Sequence, residues 1–121
     1  MDNHTAQAII ITCIDFRFQE AINQWISKNF APKTFDRVSL AGGVKNLETI
    51  MGQIDIAVRL HHIKKVVLIN HEDCGAYGPE GTVDHHVRDL KQVKKQILEQ
   101  FPNLRVETYY LHLDDTFEPI S

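Results

Sequence analysis

Residues 64–78 read "KKVVLINHEDCGAYG", and the two halves of this stretch obey different rules. Val66, Val67, Leu68 and Ile69 form an unbroken apolar run rich in β-branched side chains. That is the pattern of a strand covered on both faces, as in a parallel sheet. The run stops at Asn70, and His71 and Cys74 follow in a loop punctuated by Gly75, Gly78, Pro79 and Gly81. A histidine and a cysteine three positions apart, where a buried strand ends, supply half of a metal-ligand set. The other half has to come from elsewhere in a chain with 2 cysteines.

Outward from this strand the chain alternates between strand and helix signals. "AIIITC" (8–13) is a second buried run, and "FQEAINQWISKNF" (18–30) places Phe18, Ile22, Trp25, Ile26 and Phe30 on one helical face before Pro32 breaks it. "RVSLAGG" (37–43) reads as a short strand ending in a glycine turn. Asn46 is a natural N-cap for a helix striped by Leu47, Ile50, Met51, Ile54 and Val58. After the glycine-rich loop a third helix turns Val83, Val87, Leu90, Ile97 and Phe101 inward, and Pro102 with Asn103 stops it. "RVETYYLHL" (105–113) makes a fourth strand, and "DDTFEPIS" (114–121) reads as an acidic tail. The order predicts an α/β three-layer sandwich: a mainly parallel four-stranded sheet, strand order 2-1-3-4, with helices on both faces. Residues 1–121 are expected to form one domain.

Composition narrows the function. A formal net charge of −3 leaves no basic excess to neutralise phosphates, so nucleic acid is not an expected partner. The apolar runs are too short to span a bilayer, and the polar opening "MDNHTAQ" is no secretion signal. The expected location is cytoplasmic, where cysteines serve as thiols, metal ligands or catalysts rather than in a disulfide.

In open α/β sheets, ligands bind beyond the carboxyl ends of the strands, where strand order reverses. Cys13 ends the first strand, while His71 and Cys74 end the third. With those strands adjacent, all three meet at that crevice. Two thiolates and an imidazole suit Zn2+, and three protein ligands leave one of its four positions open. Taken singly, Cys13 is equally a small buried hydrophobe and His71 a loop residue bonded to backbone. In "CIDFR" (13–17), Asp15 and Arg17 are placed to pair as carboxylate and guanidinium beside the metal. An ordinary ion pair at a helix start is the plainer account.

"CIDFR" (13–17), "LAGG" (40–43) and "HEDCG" (71–75), in this order on a strand–helix alternation, resemble the β-class carbonic anhydrases. The resemblance implies Cys13, His71 and Cys74 as zinc ligands and Asp15 with Arg17 as the catalytic gating dyad. It implies reversible hydration of CO2 to bicarbonate, a homodimer or higher homo-oligomer as the working form, and no membrane partner. With two thiolate ligands, activity should rise toward alkaline pH. Gly42 and Gly43 could bring backbone N–H groups to bicarbonate, or simply form the tight turn.

The chain also departs from the class. Ser39 and Leu40 stand where members carry an Arg-Asn pair, and Phe16 where a small residue is usual. Twelve residues precede Cys13, fewer than the helical arm that members wrap around a partner. These departures leave two alternatives: hydrolysis of carbon disulfide or carbonyl sulfide on the same scaffold, or a zinc-stabilised regulatory domain without turnover. His85 and His86 begin the third helix near the expected mouth, as proton relays or simply as an exposed helix start. Tyr77 either shapes the pocket or packs beneath the ligand loop.

Overall fold

The computed structural model describes residues 4–121. Strands β1 (Ala8–Thr12), β2 (Phe35–Ser39), β3 (Lys65–His71), β4 (Arg105–Leu111) and β5 (Phe117–Ile120) form one sheet in the order β2-β1-β3-β4-β5. The first four are parallel, and β5 runs antiparallel to β4. Helices α1 (Gln19–Asn29), α2 (Leu47–His61) and α3 (Val83–Gln100) make the crossovers. The α/β class and the 2-1-3-4 order agree with expectation, and the fifth strand is an addition.

Alternation along the strands divides the core in two. Ala8, Ile10, Val67 and Ile69 face α1, meeting Phe18, Ile22, Ile26 and Phe30. Ile9, Ile11, Val66 and Leu68 face the opposite side, where α2 contributes Ile50, Ile54 and Ala57 and α3 contributes Leu90, Val93 and Ile97. Each central strand therefore buries both faces, which is why β1 and β3 read as continuous apolar runs.

Three boundaries differ from the sequence reading. β2 occupies Phe35–Ser39 rather than 37–43, because the chain turns at Gly42 and Gly43, whose φ angles of 85° and 60° no strand accommodates. The inward stripe of α3 is His86, Leu90, Val93 and Ile97, while Val83 is 45% exposed. The acidic tail is half of a hairpin: Asp115 takes a left-handed φ of 69°, Asp114 caps the Thr116 N–H, and β5 returns beside β4. Pro119 sits in this edge strand, where its missing N–H is tolerated, and Phe117 stacks on Trp25 of α1 at 5.5 Å.

β1 connects to β2 on one side and β3 lies on the other, so strand order reverses between β1 and β3. That switch point lies beyond the carboxyl ends of the two strands, at Thr12 and His71. Asn46 accepts from the Thr49 N–H, capping α2 as expected. Among the described residues no helix is long and apolar enough to cross a membrane.

Candidate metal centre

Cys13 follows the last residue of β1, His71 closes β3, and Cys74 lies three residues further on. The parallel register sets Thr12 beside Ile69, so the two strand ends arrive together. One donor atom from each of Cys13, His71 and Cys74 lies within 4.8 Å of the others, and all three side chains are buried. The sulfurs are 4.0 Å apart. Two thiolates at about 2.3 Å from a tetrahedral zinc would be roughly 3.8 Å apart.

The histidine supplies the decisive detail. His71 Nδ1 lies 2.8 Å from the Glu72 carbonyl oxygen, which can only accept, so Nδ1 carries the proton of the neutral ring. Nε2 is left with its lone pair, fully buried and without a hydrogen-bond partner among the described residues. The Phe18 ring packs against the imidazole at a centroid distance of 4.4 Å and limits its rotation. An orphaned imidazole nitrogen facing two thiols is a donor set suited to a soft divalent cation, so these residues fit zinc.

The two cysteines differ. Burial opposes a thiolate at Cys13, but the His71 imidazole and the backbone N–H groups of Gly42 and Asp15 outweigh it, lowering its pKa from 9.0 to about 7. The Gly42 N–H donates to the Cys13 sulfur at 3.3 Å. At Cys74 burial prevails and the pKa rises despite the N–H groups of Tyr77 and Ala76. Burial also opposes charge on His71, yet Cys13 and the Glu72 carbonyl raise its pKa overall.

Asp15 stands beside this cluster. Its Oδ2 is 3.9 Å from His71 Nε2, and its carboxylate accepts from Arg17 three times, at the backbone N (2.9 Å), Nε (3.1 Å) and Nη2 (2.7 Å). Arg17 is the main reason its pKa falls from 3.8 to about 2. The guanidinium continues across the crevice, donating from Nη1 to Asp73 Oδ2 at 3.0 Å and from Nη2 to the Asp73 carbonyl at 2.9 Å.

Other expected residues are placed less simply. The N–H of Gly42 is engaged by Cys13 and that of Gly43 by the Leu40 carbonyl, so both are used inside the protein. Phe16 is 87% exposed and does not fill the space beside the dyad. His86 is no exposed helix start: it is fully buried, with Nδ1 2.9 Å from the amide nitrogen of Asn70. Tyr77 packs beneath the loop and donates its hydroxyl proton to Asp89 at 2.7 Å. Asn70 and Asp73 were not singled out from the sequence. A lone carboxamide inside a buried apolar strand is a signal in itself, since such a group needs partners.

From residue 3 to residue 121 the chain matches the family described as "Putative carbonic anhydrase". The chain belongs to this carbonic anhydrase family. Uncharacterized proteins of two Rickettsia species are similar to the chain: that of R. bellii (strain RML369-C) is 31% identical over 134 aligned residues, covering 95% of this chain and 82% of the relative. The R. conorii protein is equally identical, over 95% of this chain and 72% of the relative. In fold, this carbonic anhydrase family member is similar to the carbonic anhydrase of Glaciozyma antarctica, with a TM-score of 0.73 at 13% identity over 99% of this chain and 85% of that one. Streptococcus mutans carbonic anhydrase gives 0.62 at 15% identity, over 100% and 86%. A carbon disulfide hydrolase in its apo form also gives 0.62, at 13% identity over 98% and 80%.

Proposed function

We propose that this chain catalyses the reversible hydration of carbon dioxide to bicarbonate and a proton, as a domain spanning residues 1–121 that holds zinc through Cys13, His71 and Cys74. The observation that carries the reading is the convergence of Cys13, His71 and Cys74, one donor atom from each within 4.8 Å of the others, beside a His71 Nε2 that is buried without a hydrogen-bond partner among the described residues. Bound there, zinc supplies the Lewis acidity that lets water act as a nucleophile near neutral pH.

The chain's own residues do the rest. Asp15, ionised down to about pH 2, accepts a hydrogen bond from the attacking water and fixes the direction of its lone pair toward CO2. Arg17 keeps that carboxylate from swinging onto the ligand cluster. The Glu72 carbonyl holds the imidazole in its ligand tautomer. The Gly42 turn acts through the Cys13 sulfur, to which its N–H donates. Exposed Ile14 and Phe16 flank this end of the sheet and suit burial against a second copy, giving a homodimer or higher homo-oligomer. Reduced thiols at the centre suit a cytoplasmic location.

Stopped-flow CO2 hydration on zinc-loaded protein tests the reading. One zinc per chain with turnover above buffer is expected, and Cys74→Ser should lose both together. The fold likeness to a carbon disulfide hydrolase supports a second reading, hydrolysis of carbon disulfide or carbonyl sulfide. The same preparation assayed with those substrates separates the two. Stoichiometric zinc with no turnover of any of the three would overturn both in favour of a regulatory zinc domain.

A further inference from the structure

β3 presents His71 toward α1 and its neighbour Asn70 toward the other face, where α3 packs. The Asn70 side chain is buried, one position before the proposed ligand, among otherwise apolar residues. Its orientation follows from its partners. The Val44 N–H can only donate, so the carboxamide atom 3.2 Å away is Oδ1. The amide nitrogen then faces the Tyr77 hydroxyl at 3.0 Å and His86 Nδ1 at 2.9 Å. Tyr77 gives its own proton to Asp89, which leaves its oxygen free to accept. His86 Nδ1 accepts as well, so this buried ring is neutral with its proton on Nε2, which has no hydrogen-bond partner among the described residues.

Two of the three bonds lead to segments that hold the thiols, and the third to the helix packed behind them. Val44 lies in the turn whose Gly42 N–H donates to the Cys13 sulfur. Tyr77 belongs to the loop whose N–H groups face the Cys74 sulfur. His86 anchors α3. The fit against the turn is close: a Cβ at Gly43 would lie 2.5 Å from Asn70 Oδ1, so the turn approaches to glycine distance.

We infer that Asn70 is a positioning residue for the metal centre: its single buried carboxamide joins the Cys13 turn, the Cys74 loop and α3, and so sets the separation of the two thiolates. The inference rests on the proposed zinc reading. A buried carboxamide with three satisfied partners is rigid, and Asn70→Ala leaves the Val44 N–H and His86 Nδ1 without their partner while Tyr77 keeps Asp89. Asn70→Asp keeps the acceptor for Val44 but sets an oxygen against two groups that need a donor. Tyr77→Phe removes the arm to the Cys74 loop, together with the bond from Tyr77 to Asp89.

Zinc affinity by chelator competition and the visible spectrum of the cobalt-substituted protein test this. The variants are Asn70→Ala, Asn70→Asp and Tyr77→Phe, with Ile97→Ala as control, a buried core residue at the far end of α3. Tyr77→Phe serves if the Asn70 variants do not fold. Support is zinc binding weakened by about 10–100-fold with altered thiolate-to-cobalt bands in the network variants. The Ile97→Ala control should lose stability yet keep wild-type affinity and spectrum. Wild-type affinity and spectrum in the network variants would overturn the inference and leave the zinc reading intact. No uptake of zinc or cobalt by the wild-type chain would overturn both.

Discussion

Arg17 grips Asp15 through two parallel bonds, Nε to Oδ1 at 3.1 Å and Nη2 to Oδ2 at 2.7 Å, and still has Nη1 free to reach Asp73. A planar guanidinium can do this, whereas an ammonium acts as a single point of charge. Arg17→Lys should therefore keep the local charge but release Asp15 toward the ligand cluster. We expect zinc retained and kcat/KM lowered about 10–100-fold, read by metal analysis and stopped-flow CO2 hydration.

Asp15→Asn leaves the shape almost unchanged but adds an N–H where the carboxylate only accepts. Metal content should stay at the wild-type level while turnover falls by at least about 10-fold. Wild-type rates in this variant would remove Asp15 from the chemistry.

His86 makes stability depend on pH. Burial is the largest cause of its depressed pKa, about 4 against an ordinary 6.5, with His71 and His85 adding repulsion and Asp89 opposing them. Between those values the unfolded chain binds a proton that the folded one refuses, so stability falls as pH drops through that window. The loss amounts to roughly 3 kcal/mol once pH reaches 4. Urea denaturation of the metal-free protein from pH 7.5 to 4.5 reads it. His86→Gln should show a shallower decline than wild type, and parallel curves would assign the acid sensitivity elsewhere.

Two glycines predict opposite signs. Gly43→Ala forces a side chain into a left-handed backbone and against Asn70, and should destabilise by about 1–2 kcal/mol or more. Gly52, exposed within α2 with open space around its Cα, should gain about 0.5–1 kcal/mol on replacement by Ala. Equilibrium urea unfolding of both variants checks the pair.

The sequence displays what burial and spacing write into it. β1 and β3 are legible because both faces of each are covered; Cys13 and His71 stand out where such runs stop, and Cys74 by its three-residue spacing from His71. β5 is not legible: it is four residues long, contains Pro119 and lies at an edge, so neither alternation nor β-propensity marks it. His86 reads as an exposed helix start because Val83 and Val87 advertise a neighbouring apolar face, although the 86, 90, 93, 97 stripe fits the helical period as well. Asn70 joins segments 26 positions back and 16 ahead, and no local pattern reports such contacts.

The two thiols are separated by 61 positions; β1 delivers one of the three donors, and β3 with the loop after it delivers the other two. An ion captured there would act as a late cross-link, closing a large loop after the strands have zipped rather than nucleating them. Its thermodynamic weight would fall mainly on the rate of opening, so chelation should hasten unfolding far more than it slows refolding.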